Sequence, residues 1–130
     1  MPVKWVLLGD DGIVPGTAAA RDARRLRKEF PSFEKDLRRE VELLRECACL
    51  PPDDPIPGTE RRAFKRRVKR SDSNEGKRGG YRFVYGVFTE GIAFLRFYYK
   101  RQEQKVDLRE LLKALSEVEA SMQVDSTEPS

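Results

Sequence analysis

Apolar residues in the first half of the chain recur every three or four positions, which is the spacing of one face of a helix. This spacing predicts a helix over residues 18–30 and a second over residues 33–47. Pro31 and Ser32 separate the two helices, and Ser32 is a favourable N-cap residue for the second. Two helices joined by so short a break indicate a helical hairpin packed on a sheet.

Three other segments of the first half lack this spacing. The short apolar run over residues 3–8 predicts a strand, and the turn-forming residues 9–16 predict a loop. Residues 50–58 hold four of the eight prolines, which argues against a helix or a central strand. We expect an extended connection inside one domain there, because neither side has enough apolar residues to fold alone.

In the second half of the chain the apolar period changes to two, which is the period of strands. Three strands are predicted, over residues 64–70, 81–88 and 92–101. Residues 89–91 are short enough for a hairpin turn with Gly91 at a positive φ angle. The strands therefore form an antiparallel meander.

Residues 107–120 are predicted to form the last helix. Asp107, with Glu110 three positions later, has the pattern of a capping box. Residues 121–130 show no pattern and are predicted to be a disordered tail, which leaves one domain over residues 1–120. The predicted fold class is α+β: a small antiparallel β-sheet packed against an N-terminal helical hairpin, with a C-terminal helix. The predicted apolar stripe of that helix comprises Leu108, Leu111, Leu112, Leu115 and Val118.

Positive charge is concentrated in the strand-rich half of the chain. Residues 61–101 contain 13 Lys/Arg and 3 Asp/Glu, a net of +10, whereas the other 89 residues contain 13 Lys/Arg and 19 Asp/Glu, a net of −6. A basic stretch inside a β-rich region is the electrostatic footprint of a protein that binds a phosphate backbone. On the first predicted strand Lys65, Arg67 and Lys69 form a row of cations spaced by about 7 Å. Arg82, on a central strand, must lie on the open face of the sheet or find a partner.

The composition excludes several kinds of site. The chain contains no histidine, which rules out a histidine-based ribonuclease, a Ser-His hydrolase and a Cys/His zinc site. Its two cysteines, Cys47 and Cys49, lie too close for a disulfide framework, so a reducing cytoplasm is the expected location. The chain has no run of 18 apolar residues, so no membrane span is predicted. It also lacks the glycine motifs of nucleotide-binding loops, so no nucleotide site is predicted. We expect no cofactor.

Cleavage of RNA remains open to such a chain, because RNA carries its own nucleophile, the 2′-hydroxyl. The reaction needs a base, stabilisation of the phosphorane charge, and an acid for the leaving 5′-oxygen. Arginine only stabilises charge, whereas lysine serves as base or acid where nearby cations lower its pKa. Tyrosine is a further candidate, although packing is the commoner role for a strand tyrosine, and aromatic rings near a groove can stack bases. The tyrosines in or next to the predicted strands are Tyr81, Tyr85, Tyr98 and Tyr99.

Residues 76–85, GKRGGYRFVY, resemble the signature of the RelE/ParE toxin superfamily. One RelE-type branch is similar in further segments. Downstream these are the apolar strand ending in YYKRQE and a short helix with an acidic cap; upstream they are FPSFEKDL, residues 52–58 and FKRRVKRSD. The resemblance covers roughly residues 24–118.

This resemblance implies the predicted fold and a toxin of a type II toxin–antitoxin module. RelE-like members cut mRNA in the ribosomal A site and leave a 2′,3′-cyclic phosphate. By motif position, the resemblance implies that Arg82 stabilises the phosphate, with Lys65, Arg67 and Arg101 completing the catalytic group. The implied partners are mRNA, the ribosome and a cognate acidic antitoxin, with no membrane. The expected RNA-binding residues are Lys69, Lys77, Arg78, Lys100 and Tyr99.

The chain also departs from the RelE-like pattern. Residues 102–108 contain no tyrosine, although RelE-type enzymes often place one there, so Lys65, Lys69 or Tyr99 would supply the ionisable group. Arg67 stands at a position where a lysine would supply an ionisable base. Two alternatives therefore stay open: a non-catalytic or gyrase-directed ParE-like protein on the same fold, and an unrelated basic RNA-binding domain.

Overall fold

The computed structural model describes residues 6–9, 11–46, 53–60, 62–72, 80–100 and 107–126. The fold is α+β, as predicted, with four antiparallel strands in the order β1-β2-β3-β4. The elements in chain order are α1 (Ala18–Glu29), α2 (Phe33–Arg45), β1 (Asp54–Pro55), β2 (Ala63–Val68), β3 (Tyr81–Phe88), β4 (Gly91–Tyr99) and α3 (Leu108–Ser126).

The two faces of the sheet carry different cores. The face beneath α1 and α2, here called the hairpin face, is aromatic because alternate strand residues place large rings there. These rings belong to Phe64, Tyr81, Phe83, Tyr85, Phe94, Phe97 and Tyr99. The opposite face, the α3 face, is covered by Leu111, Ala114, Leu115 and Val118 of α3, which pack with Ala63, Val84, Phe88, Ala93, Leu95 and Tyr98.

A β-bulge divides β4 between these two faces. Val84 pairs with Arg96 and Tyr85 pairs with Phe94, so two residues of β4, Leu95 and Arg96, lie opposite one residue of β3. The extra residue reverses the alternation of side chains along the rest of the strand. As a result Tyr98 lies on the α3 face, whereas strict alternation from Phe94 would have placed it on the hairpin face.

Two arginines tie the layers together. Arg66 of β2 donates from Nε to Glu40 Oε1 of α2 at 2.7 Å and from Nη1 to Asp53 at 3.0 Å. Burial alone would lower the pKa of Arg66, but the hydrogen bonds and charges of Glu40 and Asp53 outweigh it and raise the pKa. Arg96 makes the equivalent joint, donating to Asp22 of α1 at 2.6 Å and to Glu110 of α3 at 2.8 Å.

The helix caps follow the predictions in part. Asp107 accepts the backbone N–H of Glu110 at 2.9 Å, but the Glu110 carboxylate bonds to Arg96 instead of closing a capping box. Ser32 occupies the N-cap position of α2, yet its hydroxyl donates to the Asp36 carboxylate at 3.0 Å. The predicted side-chain cap by Ser32 is therefore wrong.

Several predicted boundaries change in the structure. Helix α3 continues to Ser126, six residues past its predicted end, and residues 127–130 lie outside the described part of the chain. Leu108 and Leu112 are exposed, so the predicted apolar stripe of α3 is too wide. Of the predicted strand over residues 3–8, residues 3–5 lie outside the described part, and Leu7 makes a single parallel bridge to Ile92. Gly91 has a φ of 148°, which confirms the predicted positive angle.

Candidate functional site

The α3 face carries a cluster of cations where α3 leaves the sheet accessible. Arg67 of β2 lies directly opposite Arg82 of β3, which in turn lies opposite Tyr98 of β4. Lys65, two residues before Arg67, points to the same face and pairs with Val84. We call Lys65, Arg67 and Arg82 the cation cluster. Arg67, Arg82 and Tyr98, separated by 15 and 16 positions along the chain, thus meet on one row of the sheet.

Burial within the cation cluster is graded. Arg82 is only 4% exposed, Lys65 is half-buried, and Arg67 is exposed. Arg82 donates from Nη1 to the carbonyl oxygen of its neighbour Tyr81 at 3.1 Å. Arg82 therefore forms the floor of the site, with a fixed guanidinium, while Arg67 forms its rim.

The pairing of Arg67 with Arg82 works against the stability of the sheet. Two like charges directly opposite each other on adjacent strands repel, and this pair lies one position from the end of β2 and one from the start of β3. An anion bound between the two guanidinium groups would remove that repulsion, and the planar donors of arginine suit phosphate oxygens. Two arginines on one row of the sheet make this a candidate site for an anion, while Arg82 keeps its bond to the Tyr81 carbonyl.

A pocket of about 350 Å³ opens next to the cluster. Its floor includes Lys65 and Tyr98, one wall is Leu111 of α3, and the other is the proline-rich connection at residues 54–57. This volume is at the lower end of the range for small-ligand sites, roughly 300–1,000 Å³. Asp54 pairs with Lys65 in the register and lines the same wall, so the pocket is not lined by cations alone.

The structure separates Tyr99 from the other predicted site residues. The Tyr99 ring lies on the hairpin face, 5.0 Å from the Phe30 ring and 6.3 Å from the Tyr81 ring, and Arg70 stacks over it at 5.6 Å. The bulge in β4 turns Tyr99 into the core and brings Tyr98 to the α3 face, so Tyr99 does not share a face with the cation cluster.

The other predicted RNA-binding residues surround the cluster or lie outside the described chain. Lys69 follows β2 and Lys100 follows β4, and both are exposed. Their backbones are fixed, since the Lys69 carbonyl accepts from Arg39 at 3.0 Å and the Lys100 N–H donates to Gly80 at 3.0 Å. The predictions outside the described residues are Lys77, Arg78 and Arg101.

Tyrosines on the hairpin face are unsuited to proton transfer at neutral pH. Burial raises the pKa of Tyr81 to about 12, and the Tyr85 hydroxyl donates to Asp53 Oδ2 at 2.6 Å. Among the described tyrosines, Tyr98 is the one that shares a face with the cation cluster; it too is buried, at 4% exposed, and it lines the pocket beside Lys65. Sequence alternation missed it, because nothing in the sequence marks the bulge.

Comparison with known proteins gives no relative for this chain. No protein-family model, curated protein or solved structure matches it. The site therefore has to be interpreted from its own residues. Over the described residues, no three His, Cys, Asp or Glu side chains gather closely enough to hold a metal ion, and no helix is long and apolar enough to cross a membrane.

The chemistry of the site follows from its side chains. Arg67 and Arg82 stay charged and offer planar sets of N–H donors to a phosphate group. Lys65 and Tyr98 beside them each carry a transferable proton. The face can therefore bind a phosphodiester, stabilise extra negative charge on it, and exchange protons with its oxygens.

Proposed function

We propose that this chain is the toxin of a type II toxin–antitoxin module and a RelE-like, ribosome-dependent mRNA endonuclease. The observation that carries the proposal is the meeting of Lys65, Arg67 and Arg82 on one face of the sheet. These three residues stand at the motif positions that the resemblance implies for catalysis. A metal-independent reaction fits them, because each step needs only cations and transferable protons.

In the proposed reaction the 2′-hydroxyl of one nucleotide attacks the phosphorus next to it. A bond forms between O2′ and phosphorus, and the bond from phosphorus to the 5′-oxygen of the next nucleotide breaks. The 2′-hydroxyl gives its proton to a base, and the leaving oxygen takes a proton from an acid. The products are a 2′,3′-cyclic phosphate and a free 5′-hydroxyl.

We assign the charge-stabilising role to the two arginines. Arg82 is held at the floor of the site, so its guanidinium is already oriented when the phosphorane forms. Arg67 contacts the same phosphate from the rim. Lys65 and Tyr98 are the proton donors and acceptors in this scheme, with Tyr98 in place of the tyrosine missing from residues 102–108.

The proposed partners follow from charge. A net of +10 over residues 61–101 attracts the phosphates of mRNA and of the ribosome, and its inhibitor should be an acidic antitoxin. The same proposal includes a catalytic role for Arg101. It also includes RNA-binding roles for Lys69, Lys77, Arg78 and Lys100. The proposal also places the protein in the cytoplasm.

One observation favours a second candidate function. Arginine cannot exchange a proton at neutral pH, so Lys65 is the one member of the cation cluster that can act as an acid or a base. A site with so little acid–base chemistry also suits a protein that binds without cutting, such as a gyrase-directed ParE-like toxin. The two candidates differ in the process that stops when the protein is made.

The test is controlled expression in growing bacteria with separate labelling of new protein and new DNA. The proposal predicts that protein synthesis stops first and that DNA synthesis follows later. Arg82→Ala should abolish the arrest. An early stop of DNA synthesis with translation intact would favour the gyrase-directed candidate, and normal growth with wild-type protein would contradict both.

A further inference from the structure

A second group of cations lies on the outer side of α1. Arg21, Arg24, Arg25 and Lys28 stand at positions i, i+3, i+4 and i+7, so they share one face of the helix, and all four are exposed. We call these four residues the α1 stripe. It spans about 10 Å along the helix axis.

The α1 stripe is unfavourable for the helix that carries it. Like charges three or four positions apart repel, and Arg21 lies in the first turn, at the positive end of the helix dipole. The first turn holds no acid to compensate. Glu29 is the one exposed acid on α1. Against the four cations of the stripe it leaves this surface with a net positive charge.

Other cations of this helix differ from the stripe. Arg27 pairs with Glu34 of α2 at 2.6 Å and so links the two helices. Asp22, which would otherwise neutralise the stripe, is buried, and its carboxylate accepts from Arg96 and from the backbone N–H of Phe97 at 3.0 Å. The contact between Arg25 Nη2 and Asp22 Oδ1 is long, at 3.8 Å.

The platform beneath the stripe is rigid. Ala19, Ala23 and Leu26 are fully buried against the sheet, and the Asp22–Arg96 pair fixes α1 to β4. The four cations therefore project from a fixed backbone, and a partner would not have to order the helix first.

We propose that the α1 stripe is a second RNA-binding surface, which docks on the phosphate backbone of double-stranded RNA. Duplex RNA is recognised mainly through phosphates and 2′-hydroxyls, which needs cations and no base-reading groups. The outer face of α1 offers cations and no aromatic ring on which unpaired bases could stack.

The side chains also argue against other acidic partners. A helix that binds a membrane surface inserts apolar residues, but the apolar residues of α1 are alanines and the buried Leu26. The core of a protein interface is depleted of charged residues overall, whereas the α1 stripe consists of four cations with no aromatic or aliphatic side chain among them.

The two RNA-binding surfaces lie on opposite sides of the sheet. The α1 stripe is on the outside of the hairpin layer, whereas the cation cluster is on the α3 face. One strand of RNA in the cluster and a separate duplex on α1 can therefore be bound together. Duplex binding by the stripe does not depend on the reaction proposed for the cluster.

The test measures binding of the purified full-length protein to a blunt RNA duplex of about 16 base pairs, which offers no single strand to the cation cluster. Fluorescence anisotropy is recorded at several salt concentrations between roughly 50 and 200 mM. The stripe variant is R21A/R24A/R25A/K28A. The matched control K35A/R38A/R109A/K113A removes four exposed cations from α2 and α3, so both variants have the same net charge.

We expect the stripe variant to lose at least tenfold in affinity and the slope of log affinity against log salt to fall by about three to four. The control should keep a slope near that of the wild type. Helix content by circular dichroism checks the fold, and the single substitution Arg24→Glu serves as a milder second variant that should lower affinity in the same direction.

Two results would overturn the proposal. One is equal duplex binding by wild type, stripe variant and control, including absence of binding by all three. The other is a stripe variant that binds the RNA duplex as tightly as the wild type but no longer binds vesicles containing phosphatidylserine. That result would make the stripe a membrane contact. The duplex assay contains no mRNA cleavage step, so its outcome is independent of whether the reaction proposed for the cation cluster takes place.

Discussion

Neighbouring arginines in the same sheet have opposite roles, because the face to which each points decides what it meets. Arg66 points to the hairpin and completes ion pairs with Glu40 and Asp53. Arg82 points to the α3 face, where it lies opposite Arg67. The first arrangement stabilises the fold, and the second forms the cation cluster to which we assign phosphate binding.

Substitution of these arginines should therefore separate stability from activity. Arg82→Ala removes a hydrogen bond to the Tyr81 carbonyl and the repulsion with Arg67, so its effect on the free energy of unfolding should be smaller than that of Arg66→Ala. The cleavage rate of Arg82→Ala should fall by about 10²–10³. Arg66→Ala takes from Asp53 its ion pair with Arg66, leaves Glu40 paired with Arg39, and should cost about 2–4 kcal/mol. Urea unfolding and cleavage assays measure both, and an Arg82→Ala enzyme with full activity would exclude the assigned role.

Tyr98 provides a second residue-scale prediction. Tyr98→Phe keeps the ring but removes the proton that we assign to the reaction, so the cleavage rate should fall by about 10² and one limb of its pH profile should disappear. Tyr99→Phe, on the hairpin face, should cleave like the wild type. Equal rates for both variants would mean that Tyr98 is a packing residue.

Tyr81 predicts how stability depends on pH. Burial raises its pKa to about 12, above the ordinary value near 10, so the folded protein holds this proton more tightly than the unfolded chain. The resulting stabilisation is complete below about pH 10 and is lost as the pH rises toward 12. Urea unfolding across that range should show a smaller loss for Tyr81→Phe than for the wild type. Identical curves would contradict the assignment.

At the residue scale, the sequence predicts the site only as far as simple alternation applies. Lys65 and Arg67 share a face because β2 is regular. Tyr98 and Tyr99 exchange faces because of the bulge in β4, and the sequence carries no sign of it. The buried ion pairs were also missed, since Asp22 and Arg96 are 74 positions apart and only the fold brings them together.

At the scale of elements, the helices and strands follow from periodicity, but the joints between them do not. The spacing of apolar residues predicts α1, α2, β2, β3 and β4. Their predicted ends differ from those in the structure by at most two residues. The proline-rich connection contains β1, a two-residue strand at the sheet edge, where proline is tolerated. Pairing of that kind depends on the partner strand, which local sequence does not specify.

The joint between α1 and β4 can be tested through Asp22. Asp22→Ala leaves the half-buried Arg96 with one acid fewer and the Phe97 N–H without an acceptor, so we expect a loss of about 3 kcal/mol in the free energy of unfolding. Asp22→Asn keeps an oxygen acceptor and should cost less. Thermal and urea unfolding give both values, and an Asp22→Ala protein as stable as the wild type would show that packing alone fixes α1.

At the scale of the whole molecule, the sheet separates two basic surfaces. The α3 face gathers Lys65, Arg67 and Arg82 beside a pocket, while α1 carries its stripe on the far side of the hairpin layer. A chain with a net charge of +4 thus presents clustered cations in two directions. An enzyme that cuts a strand while seated on a larger RNA assembly would use such a layout.

The most direct test of the central claim is primer extension on an mRNA incubated with the purified protein, with and without translating ribosomes. Wild-type protein should produce new 5′ ends at A-site codons only when ribosomes are present, and Arg82→Ala should produce none. Folded wild-type protein that cuts in neither reaction, or that cuts naked mRNA equally well, would contradict a ribosome-dependent endonuclease.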